Sequence, residues 1–373
     1  MSIDKKLKFY KYTLKVLTPV HIGTNEDFMP TNYVMAQEGE SVSDKCDCGG
    51  KIINGECQWC GELYDNVSQT SQGNAYLYTF SPTELRTALT KIEQQELLTI
   101  SKQTNLMQIK DFFRNHASQI AQKGHKKALV SNEVFSKYKS SNASNLTIEK
   151  QYTDIITHNP VILGSSLKGS LRTALINALA KGRQAENEKT IEEEFLGYNG
   201  ISKDPFKNIK ISDAISKTPV VTRIVNQINK SRTKGKTLDT RGNIIEIIPA
   251  GSVFEGTITY VDEGNNKVHP LKLIEACQYF YQNELKNESF YGKKCINTNF
   301  YDVMMSKTNP PNVSPIRIGK HSGAECVTVA GNRKIRVKNC KTPQKNATTM
   351  WICKDDDKQQ PFGWAVLMIN EVK

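Results

Sequence analysis

Residues 8–18 (KFYKYTLKVLT) alternate polar and apolar positions with aromatic and β-branched side chains, and this period of two predicts a strand. Pro19, Gly23 and Pro30 then interrupt regular structure. From residue 81 the period changes. SPTELRTALTKIEQQELL opens with Ser81 as N-cap, Pro82 at the first helical position and Glu84 three residues after the cap, the arrangement of a capping box. LMQIKDFFRNHASQIAQKG carries helical spacing on to Gly124, so a helical insertion is expected over about 81–135, followed by a loop at SSNASN, 140–145. A further helix is expected within VILGSSLKGSLRTALINAL, 161–179. There Leu167, Leu171, Ala174, Leu175 and Ala178 recur at helical spacing and form a buried face, with Ser165 or Ser166 as the cap. IIEIIPAGSVFEGTITYV reads as strand on both sides of the Pro249-Ala250-Gly251 break, and PFGWAVLMINEV as a closing strand. Short strands and helices alternate without heptads or a repeat, which fits an α+β chain of the split βαβ, ferredoxin-like type.

The chain has 373 residues, enough for two domains, with 50 Lys+Arg against 38 Asp+Glu and a net charge of +12. That excess suits a polyanion, either nucleic acid or an anionic membrane surface. No window approaches the roughly 20 apolar residues of a membrane span, and MSIDKKLKFYKYTLKVLTPV lacks the apolar core of a signal peptide. Nucleic acid and a cytoplasmic location are therefore expected, with no membrane partner. Charge does not separate this reading from an ordinary basic enzyme.

Four of the nine cysteines, Cys46, Cys48, Cys57 and Cys60, cluster in CDCGGKIINGECQWC. Two close pairs, each trailed by glycine (Gly49 and Gly61), have the form of the two knuckles of a small zinc ribbon. The first pair is C-x-C where C-x-x-C is usual. Four thiolates fill a tetrahedral zinc and leave no open position, so the expected zinc is structural. Disulfides and a redox pair are the alternatives; the absent signal peptide and five scattered cysteines argue against the first. Cys277, Cys295, Cys326, Cys340 and Cys353 are expected as buried small hydrophobes.

Gly164 to Ser170 superficially suggests a P-loop. That motif needs its lysine directly after the second glycine, to reach the terminal phosphates. Here Gly169 is followed by Ser170 and the lysine, Lys168, precedes it, which argues against a nucleotide triphosphatase. What remains is a helix start with small side chains and two cations, Lys168 and Arg172, on one face. That set suits a phosphodiester backbone. On these residues alone, a capped helix whose charges face solvent is an equal reading.

LGSSLKGSLRTAL resembles the I-P-G-S-S-L-K-G-x-L-R signature of the RAMP proteins, repeat-associated RNA-binding subunits of CRISPR systems, with Leu163 in place of the usual proline. LTPVHIGTNEDFMPTNYV (17–34) is similar to that family's first strand and following loop, and DPFKNIKISDA (204–214) to its D-P-F…V-S-D segment. IIPAGSVFEGTITY (247–260) resembles its P-x-G-T-x-F strand, IRIGKHSGAECVTVAG (316–331) its glycine-rich C-terminal loop, and PFGWAVL its last strand. Together these islands most resemble the Csm-type subunits that cap the 3′-end side of the guide RNA in type III-A effector complexes.

The resemblance implies two ferredoxin-like (RRM-like) RAMP domains, 1–260 and 261–373. The first would carry a zinc-knuckle insertion at about 40–64, the helical insertion and a thumb-like hairpin at about 221–245. It implies crRNA and target RNA as partners, together with an adjacent RAMP backbone subunit and a small helical subunit, and leaves room for host nucleases that trim the guide's 3′ end. By this carry-over Ser165, Ser166, Lys168, Gly169 and Arg172 form one RNA contact, and Arg317, Gly319, Lys320, His321 and Gly323 another, with His21 beside them. The RNA-stacking signature of the RRM type is absent, so base stacking on a sheet face is not expected.

VTRIVNQINKSRTKGKTLDTRGN, 221–243, carries Arg232, Lys234 and Arg241 among its cations and turns at Gly235. A charge run of this kind is usually a solvated loop. In related proteins this position holds the thumb that leans over the guide–target duplex, and that reading is preferred. Family relatives include ribonucleases, for which His21 and His321 are the candidate acid–base groups here, with Asp27 in the loop after the first strand, near where a cutting subunit could place an aspartate. No general-base constellation stands out, and the expected role is non-catalytic.

Overall fold

In a computed structural model, residues 6–38, 73–103, 105–140, 146–238, 242–264, 266–306, 310–337 and 340–372 are described, with the backbone of 52–53 and 56–57. Cys46, Cys48, Cys60 and Arg241 lie outside the described residues, as does most of the zinc-knuckle segment. Within that segment the short strands Ile52–Ile53 and Glu56–Cys57 pair antiparallel, Ile52 opposite Cys57.

Two compact units are distinguished. The first comprises Met1–Glu26, Glu149–Val221 and Asn226–Lys373; the second comprises Asp27–Ile148 and Thr222–Val225.

The first strand, Lys6–Val16, is the centre of the first unit. Tyr10, Tyr12, Leu14 and Val16 are buried while Lys11 and Lys15 face out, as the alternation predicts. It pairs antiparallel with Val253–Asp262 on one side and Trp364–Glu371 on the other. Ile209–Ile211 and Ala214–Ile215 pair beyond Val253–Asp262, and Val313–Arg317 pairs beyond Trp364–Glu371. With the helices Gly164–Ala180 and Pro270–Gly292 as crossovers, the order is that of a βαββαβ motif. Strands from 1–260 and from 261–373 are therefore neighbours in one sheet. Both helices lie on one face and share a core containing Tyr12, Leu14, Leu167, Leu171, Phe254, Tyr281 and Trp364.

The basic segment forms a hairpin in its local pairing. The strand Thr222–Ser231 turns through residues 232–236, and Leu238 N–H returns to Asn229 O at 2.9 Å before the strand Ile244–Ile247. Thr349–Asp355 pairs with its Asn226–Ser231 portion.

In the second unit Tyr33–Gln37, Ala75–Thr79 and His125–Val130 form an antiparallel sheet. The capping box is present: Ser81 Oγ accepts from Glu84 N–H and the Glu84 carboxylate accepts from Ser81 N–H at 2.6 Å. The insertion is made of several short helices rather than one. A second capping box, Thr90 with Glu93, starts the helix Lys91–Lys102, and Leu106–Asn115 and Ala117–Ala121 follow. Residues 125–130 are a strand, because Leu77 and Tyr78 of the neighbouring strand supply a ladder for HKKALV that no local signal discloses. Among the scattered cysteines Cys277, Cys295, Cys326 and Cys353 are buried, but Cys340 is exposed, outside any described strand or helix.

Candidate nucleic-acid interface

The signature helix runs Gly164–Ala180, with Leu167, Leu171, Ala174 and Leu175 buried as their spacing requires. Its start differs from expectation. Leu163, in extended geometry, is the N-cap and no side chain of the local sequence caps it. The Asp213 carboxylate takes that role from a distant segment, accepting from Gly164 N–H at 2.7 Å. Ser165 and Ser166 consequently sit within the first turn. Only glycine fits at position 164, since a Cβ there would stand 2.4 Å from Ile211 O and 2.6 Å from Ser212 O.

That first turn forms one wall of a groove of about 380 Å³ lined by Ser165, Ser166, Gly169, Gly23, Gly319 and Lys320, among others. The helix start brings the positive end of its dipole to this wall. Gly169 has no neighbour within 4 Å of where a Cβ would lie. A glycine inside a helix costs about 1 kcal/mol relative to alanine, and here no internal packing requires it. Its effect is to keep the groove floor low.

The opposite wall is the loop after the strand Val313–Arg317. Gly319 takes a φ of +82°, and a Cβ there would lie 2.6 Å from His21 O. Lys320 N–H donates to that same carbonyl at 2.8 Å, and Ser322 Oγ lies 2.9 Å from Ile318 O and 2.6 Å from Gly319 O. The loop is thus fixed against the chain at 21–23. The walls are also tied together, since Ser170 Oγ donates to Arg317 O at 2.9 Å. Gly323, also at positive φ, has Arg317 Nη1 3.4 Å from the Cβ position.

Beneath this surface the arginines face inward. Arg317 is buried; its Nη1 pairs with Glu288, and its Nε donates to Phe362 O at 2.9 Å. Glu288 also accepts from Tyr301 Oη at 2.7 Å and Trp364 Nε1 at 2.9 Å. Arg232, expected on the thumb, is buried too, forking onto Glu325 at 2.6 and 2.8 Å. Arg172 bonds Glu192 at 2.6 Å, Asp204 at 2.8 Å and Tyr198 Oη at 3.0 Å, and lies over the Phe206 ring. Lys168 Nζ donates to Ile209 O at 2.8 Å, and burial, with Lys210 and Arg172 nearby, lowers its pKa against the pull of Asp204. Lys234 is exposed on the hairpin turn.

His21 is fully buried. A carbonyl only accepts, so the 2.7 Å contact with Glu246 O fixes the proton on Nδ1. Nε2 has no hydrogen-bond partner, with the nearest carboxylate oxygen, Glu149 Oε2, at 3.6 Å. Burial lowers the His21 pKa, opposed by the Glu246 carbonyl and Glu149. The His321 ring stacks on it at 6.4 Å, its pKa pushed down to about 4 by burial and then by Lys320 and His21. His321 Nδ1 also lies 3.1 Å from the Gln227 amide nitrogen. Asp27 is exposed and belongs to the second unit, His21 to the first.

Sequence reasoning missed Gly23, Thr173 and Val327 along the groove, and Glu149 and Gln227 beside the histidines. Gly23 had a signal, since it follows His21 by two residues in HIG. Glu149 had none in the polar run IEKQ.

Among the described residues no helix is long and apolar enough to cross a membrane. No curated protein matches the chain by sequence. Its fold is similar to that of a chain in the cryo-EM structure of a Csm–crRNA–target RNA ternary complex of a type III-A CRISPR-Cas system. That likeness has 17% identity and a TM-score of 0.58, covering 96% of this chain and 100% of that one. It is also similar to the crystal structure of T. onnurineus Csm5, at 16% identity and a TM-score of 0.55, covering 95% of this chain and 99% of that one. The model of the RAMP superfamily matches residues 13–292, from the first strand through both crossover helices, and the chain belongs to that superfamily.

Proposed function

We propose that the chain is a non-catalytic, RNA-binding subunit of a type III-A (Csm) effector complex, holding the 3′-end side of a crRNA by its backbone and supporting its maturation. The observation that carries this reading is the groove between the signature helix and the Gly319–Lys320 loop. Small side chains, a helix start and one half-exposed lysine converge there. Gly169, unexplained by packing, gives a phosphodiester room to approach. The fold likeness to a chain of a complex with crRNA and target RNA supports the same RNA partners here, and the family resemblance adds a neighbouring RAMP subunit and a small helical subunit.

In this reading Ser165, Ser166, Gly169, Gly319 and Lys320 meet the RNA. Arg172, Arg232 and Arg317 hold the walls in place through their carboxylates. Lys234, exposed at the hairpin turn, is the thumb's contribution. A second ferredoxin-like domain over 261–373 rests on the resemblance alone. Cys46, Cys48, Cys57 and Cys60 are proposed to hold one structural zinc ion, which elemental analysis would find at one per chain and Cys48→Ser would remove.

The test is guide retention. The effector complex purified with a chain carrying Ser166→Asp should hold less crRNA than the wild type, because a carboxylate then faces phosphate. Equal crRNA content in the two complexes would sink the reading.

A further inference from the structure

Lys320, which the proposed function sets against phosphate, already has a partner in the free chain. Its Nζ lies 2.5 Å from Glu149 Oε2. The same oxygen is 3.6 Å from His21 Nε2, just beyond hydrogen-bond range. The other carboxylate oxygen accepts from Asn243 Nδ2 at 3.1 Å. His21 is anchored through Nδ1 to Glu246 O, which leaves Nε2 as a buried nitrogen without a hydrogen-bond partner. One half-buried carboxylate is therefore bracketed by two groups that can carry positive charge, of which Lys320 now supplies it.

We propose that binding of an RNA phosphate in the groove draws Lys320 away from Glu149, and that His21 takes up one proton to replace it as the cationic partner of that carboxylate. This rests on the RNA-backbone reading above. In the free chain Glu149 is an anion, Lys320 a cation and His21 neutral. In the bound chain Lys320 lies against phosphate, and a proton from solvent sits on His21 Nε2 and is donated to Glu149 Oε2. One N–H bond forms, no electrons move and the charge of the set rises by one.

A carboxylate that is partly removed from water is costly to leave without a counter-charge. His21 needs a shift of only a few tenths of an ångström to reach hydrogen-bond distance. Burial holds His21 neutral, with Lys320 pushing the same way, while the Glu246 carbonyl and Glu149 pull toward the proton. Departure of Lys320 removes the repulsion and leaves the attraction. The other groups facing His21 do not supply the charge. His321, stacked on it, is held down to about 4 chiefly by burial, and the Glu246 carboxylate is turned away to Gln151 N–H at 3.0 Å.

The His21 pKa is then higher in the bound state than in the free state. Between those two values binding takes up a proton, so affinity rises as pH falls into that window, by up to about tenfold per pH unit.

Titration calorimetry of the full chain with a short oligouridine RNA, near pH 6 in two buffers of different protonation enthalpy, reads the proton directly. The expected result is uptake approaching one proton per RNA bound in the wild type. His21→Asn keeps an amide donor for Glu246 O but no titrating group, and Glu149→Gln keeps an acceptor oxygen but removes the negative charge that draws the proton, at a partly exposed position. Each should lower the uptake to less than half. RNA binding with no uptake in the wild type overturns the coupling alone, as does undiminished uptake in either variant. No RNA binding by any chain overturns the coupling together with the reading it rests on.

Discussion

Arg317 and Lys320 stand three residues apart in one glycine-rich segment, and the fold sends them in opposite directions. Arg317 ends a strand whose last four residues are all buried, and its guanidinium is enclosed by Glu288, Phe362 O and the Trp364 ring. Lys320 follows Gly319, whose positive φ turns the chain outward, and its ammonium is half exposed at the groove. A cation in a motif is thus no evidence of a phosphate contact until its burial is known. One builds the wall and the other faces what the wall encloses.

The largest effect should come from the inward member. Arg317→Met leaves Glu288 charged and buried without its partner, at a cost of about 3–5 kcal/mol in denaturant unfolding. A variant that kept its stability and lost only RNA would break the comparison. The pair Lys168→Ala with Arg172→Ala comes next. Arg172 bonds Glu192, Asp204 and Tyr198 where it is partly exposed, so the expected stability loss is about 1–3 kcal/mol. RNA retention should fall in proportion to the folded fraction, which comparing retention with thermal unfolding would show.

Acid should act on the same boundary. The pKa of His321 is depressed from its unfolded value to about 4 by burial, and that of His21 is depressed as well. Below an unfolded pKa of about 6.5 the unfolded chain binds more protons, so stability is full above that pH and is lost as pH falls toward the folded values. His321→Gln should flatten the dependence of Tm on pH between these limits. The outward member gives the smaller change: Lys320→Ala should weaken RNA binding several-fold, with a stability loss of about 1 kcal/mol or less, because the ammonium end of its ion pair is half exposed although the Glu149 end is not.

Much of the frame was legible in the sequence because it depends on local period and capping. The alternation of Tyr10, Tyr12, Leu14 and Val16 gave the central strand, and Ser81 with Glu84 gave a helix start that the structure reproduces atom for atom. What escaped depends on partners far along the chain. The signature helix takes its cap from Asp213, 49 residues after Gly164, and Arg232 is buried by Glu325, 93 residues away. Neither segment carries a sign of the other. The groove was legible in half: GSSLKG and GKHSG marked the walls and HIG pointed toward Gly23 between them, but Glu149 beside His21 comes from a polar run without chemical character of its own.

The central claim is that the groove over Gly169 receives an RNA backbone. Gly169→Glu tests it most directly, since beyond its own helix backbone and chain neighbours no atom lies within 4 Å of the new Cβ, and the side chain projects a carboxylate where phosphate would lie. Helix propensity makes the substitution neutral or favourable to stability by up to about 1 kcal/mol. Guide-RNA affinity measured by filter binding should fall by more than about tenfold, the equivalent of 1.4 kcal/mol, while Tm does not fall. Wild-type affinity in a fully folded Gly169→Glu chain would contradict the account.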